Sequence, residues 1–134
     1  MITWNKKYEL GINSIDLQHQ RWISIMNELF KGGQSSENRE KTIIAQLEAV
    51  NEYSKIHFNY EESLFSEFGY ENALEHHGQH LECAQMILKF QKEAASGNVP
   101  MVSVLLTEMK EWLDHHICVE DLKYVEFLKS KGVV

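Results

Sequence analysis

His57-x-x-x-Glu61 and His76-x-x-x-His80 each place two metal-ligating side chains one helical turn apart on the same face, near enough to meet a shared cation. Either pair alone would read as an ordinary exposed polar pair. Both, however, fall on stripes whose other members are apolar. The inward positions run Ile15, His19, Trp22, Met26, Leu29, then Ile43, Leu47, Val50, Ser54, His57, Glu61, Leu64, Phe68. They continue as His76, His80, Cys83, Ile87, Phe90, and as Val102, Leu105, Met109, Trp112, His116. Steps of three and four residues mark one face of a helix, and each histidine takes a core position without breaking the period. Buried imidazoles and carboxylates without partners are costly, so a core that collects this many needs something to neutralise them. A metal centre supplies that partner. A further carboxylate follows His116: Glu120 shares its face if the helix runs on, whereas Asp121 requires a turn, and regular helix geometry favours Glu120 slightly. His77 and His115 are turned by about 100° from the stripes of their helices and read as rim residues.

The elements that must hold these groups are helical nearly throughout, because one proline and seven glycines interrupt the chain and alternating β-branched runs are few. Asn13 is expected to cap the first helix, with Asp16 in its opening turn and Gly32-Gly33 at its end. Ser35 and Ser36 reopen the chain before Glu37 and Glu40, and Gly69 closes the second helix. Asn72 with Glu75 resembles a capping box for the third. Ser96-Gly97-Asn98-Val99 breaks the chain, and Pro100 suits the first turn of the fourth. Short connections predict an all-α, antiparallel up-down-up-down four-helix bundle. Residues 1–12, with Trp4 and Tyr8, read as an extended N-terminal arm, and Leu122 to Lys129 as a short C-terminal helix.

The 134 residues suffice for one core, so residues 1–134 read as a single domain. A net charge of −7 with scattered Lys and Arg argues against a nucleic-acid surface. No apolar run is long enough to cross a bilayer and the start has no leader-like apolar segment, which predicts a cytoplasmic protein without membrane insertion. Cys83 and Cys118 form no C-x-x-C pair; Cys83 reads as an apolar core filler, and Cys118 lies between two candidate ligands.

The segments Ile15-Asp16-Leu17-Gln18-His19, His57-Phe58-x-x-Glu61-Glu62, His76-x-x-x-His80 and Trp112-Leu113-x-x-His116-Ile117-x-x-x-Asp121-x-x-Tyr124 resemble the signature of the hemerythrins, in their single-domain bacterial form, over the whole chain. The resemblance implies Asp121, not Glu120, as the last carboxylate. It also implies two non-haem iron ions per chain, bridged by hydroxide or oxide. His76, His80 and His116 would hold one, His19 and His57 the other, with Glu61 and Asp121 bridging. Five imidazoles, two bridging carboxylates and a bridging hydroxide leave one open position on the two-histidine iron, where O2 would bind.

A dry pocket would protect such a ferrous pair, and Trp22, Phe58, Trp112, Leu113 and Ile117 are its candidate lining. Tyr124 is a candidate support for the aspartate. Carboxylate-rich di-iron oxidases use Glu-x-x-His pairs, and none occurs in this sequence. Reversible O2 binding, as a carrier or store, is therefore expected, with no catalytic residue and no enzyme activity. The alternatives are a sensor of O2, NO or redox state read by a separate protein partner, and a protective enzyme acting on peroxide or nitric oxide.

Overall fold

The apolar stripes close on one another in four helices, α1 (Asn13–Gly32), α2 (Arg39–Phe68), α3 (Ala73–Ala95) and α4 (Val99–His115), followed by a short α5 (Val125–Ser130). The computed structural model describes residues 1–32 and 39–134, and no strand occurs among them. The turn signals expected at Gly33, Ser35, Ser36 and Glu37 lie outside the described residues.

Helices α1 and α2, α2 and α3, and α3 and α4 pack as neighbours. His19 lies near the start of α1, His57 just past the middle of α2, His76 in the first turn of α3 and His116 just past α4. These side chains meet, so successive helices must run in opposite directions. The all-α four-helix bundle is thus the observed architecture.

The predicted stripes of α1 and α3 are buried at every position. Two others shift by a residue. On α2 the wall of the core is Phe65 where Leu64 was expected, and on α4 Leu113 is fully buried while Trp112 is only partly so. A straight helix with about 3.6 residues per turn drifts against any fixed series of threes and fours, and the long α2 drifts furthest. The larger core runs through the middle of the bundle around Trp22, Met26, Leu47, Ile87, Phe90 and Met109. A second cluster, around Ile12, Ile15, Phe65, Tyr124 and Leu128, closes the end that carries the histidines.

The local signals are met unevenly. Asn98 caps α4 by accepting from the Met101 amide, and Pro100 stands in the first turn, as expected. Gly69 and Gly97 follow α2 and α3 with φ of 70° and 73°, a conformation that side chains resist. Asn13, in contrast, is the first helical residue and not a cap; Asp16 instead reaches back to accept from the Leu10 and Gly11 amides. Asn72 precedes α3, but its side chain makes no capping bond.

The N-terminal arm is not fully extended. It carries a 3-10 turn at Lys6–Tyr8 and is fastened by reciprocal bonds between Ile2 and the Asn27 amide and by the Tyr8 hydroxyl donating to Asp114. After α4 the chain makes a π-helical turn, His116–Glu120, then a 3-10 turn, Asp121–Tyr124, before α5. The terminal helix thus begins at Val125, later than the Leu122 expected.

Candidate metal centre

Five imidazoles from four helices and two carboxylates converge at the closed end of the bundle, each no more than 4% exposed. Two overlapping sets of donor atoms result, Glu61 with His76, His80 and His116, and His19 with His57, Glu61 and Asp121, each set within 4.8 Å. Glu61 belongs to both. Its Oε1 lies 3.3 Å from Nε2 of His57 and 3.2 Å from Nε2 of His80. Asp121 spans the two sets as well, with Oδ1 3.1 Å from Nε2 of both His76 and His116, and Oδ2 3.1 Å from Nε2 of His19.

Asp121 reaches this position because of the π-helical turn. In an α-helix the fourth residue after His116 would share its face; the wider turn moves that place to the fifth. Glu120 is left on the rim, where it accepts from Gln79 and Lys123. The structure therefore puts Asp121 in the site and corrects the preference of regular helix geometry for Glu120.

The donor set fits a metal cation. Nε2 of His76, His80 and His116, Oε1 of Glu61 and both oxygens of Asp121 are buried without a hydrogen-bond partner. Nε2 of His19 and His57 stand 3.0 Å apart, closer than two lone pairs tolerate without a proton or cation between them. Imidazole and carboxylate together suit first-row transition metals.

Residues outside the stripes fix the tautomers. Nδ1 of His80 lies 2.8 Å from Oε2 of Glu62, and Nδ1 of His57 lies 2.8 Å from Oε1 of Gln18. An ionised carboxylate and an amide oxygen only accept, so each Nδ1 carries the hydrogen and each Nε2 turns a lone pair inward. Glu62 also holds Nδ1 of His77, which sits on the rim as predicted. Glu62 and Gln18 adjoin Glu61 and His19 in the chain, so stripe reasoning set them aside. Each reaches across to a histidine on a neighbouring helix. Such outer partners typically contribute 10–100-fold to metal affinity. Glu62→Gln is expected to weaken metal binding by about tenfold with helicity intact; unchanged affinity in chelator competition would remove Glu62 from this role.

The Tyr124 hydroxyl donates to Oε2 of Glu61 rather than to Asp121, the partner expected. Burial, followed by the nearby Asp121 and Glu61 carboxylates, pushes this phenol well above its ordinary range, so it stays a donor. Among the candidate lining residues, three rings touch the imidazoles. Phe58 stacks on His80 with centroids 3.9 Å apart, Trp112 on His116 at 4.4 Å, and Trp22 approaches His57 at 5.1 Å. The Trp22 indole N–H donates to Ser54. Leu113 and Ile117 are fully buried in the same cluster. Cys83 is buried, and Cys118 belongs to neither donor set, its thiol pointing at the Lys7 carbonyl.

Electrostatics couple the site to protons. Burial lowers the pKa of His76, but the Asp121 and Glu61 carboxylates facing its Nε2 outweigh it and raise the group to about 9. Below that pH the ring holds a proton that a metal must displace. Apparent metal affinity is therefore expected to rise with pH up to about 9, by about tenfold per unit for one displaced proton. Chelator competition across that range checks this, and a flat profile would contradict it.

Residues 10–128 match the family described as Hemerythrin HHE cation binding domain. The chain is 27% identical over 130 residues to a bacteriohemerythrin of Clostridium acetobutylicum, covering 94% of this chain and 100% of that one. A bacteriohemerythrin of Stenotrophomonas maltophilia is 28% identical, with 97% and 83% covered. The fold is similar to a crystal structure of wild-type hemerythrin, with a TM-score of 0.85 at 23% identity over 96% of this chain and 98% of that one. Among the described residues no helix is long and apolar enough to cross a membrane.

Proposed function

The chain belongs to the hemerythrin family of cation-binding domains, and from that premise we propose that it binds O2 reversibly at a non-haem di-iron centre, as a carrier or store. On this reading His76, His80 and His116 would hold one iron and His19 and His57 the other, with Glu61 and Asp121 shared between them. The observation that carries it is the pair of donor sets sharing Glu61, rich in imidazole and sealed from solvent. When bound, a ferrous pair supplies the electrons that hold dioxygen.

The protein's own part is restraint. Gln18 and Glu62 fix the histidine tautomers, so the imidazoles neither rotate nor exchange protons during a cycle. Tyr124 holds the outer oxygen of Glu61, limiting the carboxylate movement that accompanies oxygen activation in carboxylate-rich centres. Trp22, Phe58, Trp112, Leu113 and Ile117 form the dry wall that keeps water and anions away. This restraint favours binding over catalysis on our reading, and the protein is accordingly proposed not to be an enzyme.

The test is visible absorption of anaerobically iron(II)-loaded protein through repeated addition and removal of O2, with iron counted in the same sample. Two irons per chain and a coloured adduct that forms and fades over several cycles are expected. Irreversible conversion to a ferric spectrum at first exposure would overturn the carrier reading and favour an oxidase, a peroxidase or a redox sensor.

A further inference from the structure

Leu74, Leu81 and Leu88 repeat every seven residues along α3 and stand in solvent, 84%, 50% and 58% exposed. Two turns of helix take about seven residues, so these side chains form one row, opposite the buried face of His76, His80, Cys83, Ile87 and Phe90. The other large exposed apolar residues of α1, α2 and α4, Leu17, Ile44, Ile56 and Val104, are scattered singly among the described residues, and Val119 with Leu122 makes only a small pair in the turns after α4. Single exposed apolar residues need no explanation, but an aligned row marks an interaction face.

The charges along α3 say what fits it. Glu71 and Glu75 stand exposed at its N-terminal end and Lys89 and Lys92 at its C-terminal end, while Glu82, also exposed, is turned about 100° to the side of Leu81. None of the five is in an ion pair among the described residues. Lys92 continues the leucine row by one turn, and Glu71 adjoins its other end. The face is therefore complementary to itself when reversed. A second α3 laid antiparallel, with Leu81 on Leu81, sets Leu74 against Leu88 and the acidic end of each copy against the basic end of the other. A parallel copy would oppose like charges, which is costly. Self-complementarity about a two-fold axis is the condition for an isologous dimer, and from Ala73 to Lys89, the stretch of α3 that overlaps when Leu81 meets Leu81, the helix offers roughly 24 Å of length for it.

We propose that this face of α3 is an interface with a second copy of the chain, packed antiparallel about Leu81. The pairing draws no residue from the metal centre, and its test reads mass rather than oxygen binding, so it stands apart from the functional reading above.

Sedimentation of the metal-loaded full chain from micromolar to millimolar concentration should show a monomer–dimer equilibrium. Leu81→Glu, which brings two carboxylates together on the axis, is expected to weaken association by at least roughly tenfold, with helicity and metal content unchanged. Glu71→Lys and Lys92→Glu should each weaken it, because each puts like charges together in the antiparallel arrangement, while the double variant should recover it. The charge series decides the matter even if Leu81→Glu disturbs folding. A monomer at every concentration, or a dimer indifferent to both the Leu81 and the charge variants, would overturn the proposal.

Discussion

His57→Ala is expected to leave the protein with about half its metal, whereas His77→Ala should retain all of it. Both are histidines on adjacent helices near one end of the bundle, so composition does not distinguish them. Position does. His57 is fully buried, with Nε2 aimed at Nε2 of His19 and Oε1 of Glu61. On the proposed assignment its loss leaves one iron with a single histidine, while His76, His80 and His116 keep their donors. His77 lies on the rim, bonded to Glu62. Metal analysis of both variants after identical loading, beside far-ultraviolet circular dichroism, makes the comparison; equal loss would mean that helical register does not select the ligands.

Asp121→Asn should do more harm still. Its carboxylate is the one group whose two oxygens separately face His76 with His116 and His19. Burial and the neighbouring Glu61 oppose its ionisation, yet His116 and His19 hold the carboxyl well below the usual range. An amide of the same shape has one accepting oxygen and no charge. It therefore removes the negative charge that the cations need and, without metal, one of the two carboxylates that hold a proton on buried His76. Metal affinity is expected to fall by more than roughly a hundredfold, since even outer partners cost 10–100-fold. The metal-free protein should lose about 3–5 kcal/mol of unfolding free energy, as when one partner of a buried ion pair is deleted. Glu120→Gln, one residue away, changes a partly exposed rim network and should do neither. Urea unfolding of the metal-free variants, with metal binding measured in parallel, tests the pair; similar behaviour would mean that the π-helical turn does not select between them.

These contrasts show what was legible in the residues and what was not. The stripes of α1 and α3 were readable in full because a core face repeats with the helix, and a histidine on it betrays itself by being out of character. The register ahead of Asp121 was not readable: nothing in His116-Ile117-Cys118-Val119-Glu120 announces a wide turn, and only the resemblance to a known signature pointed past Glu120. The cap went astray at Asn13 because the Ile12 carbonyl already accepts from the Ile15 and Asp16 amides that its side chain would have met, and Asn72 precedes α3 without bonding to it through its side chain. Gln18 and Glu62 escaped because a residue beside a ligand points about 100° away from it. That direction is solvent on an isolated helix but the next helix in a bundle.

The rings packed around the imidazoles have an optical consequence. Two of the three tryptophans, Trp22 and Trp112, lie against His57 and His116, while Trp4 stacks on Tyr8 in the N-terminal arm. On the proposed reading a coloured ferric centre would absorb where indole emits, so energy transfer would quench the indoles of Trp22 and Trp112, which touch the candidate ligands. The quenched fraction would then report the metal, and the chain would carry its own dyes for occupancy at the core.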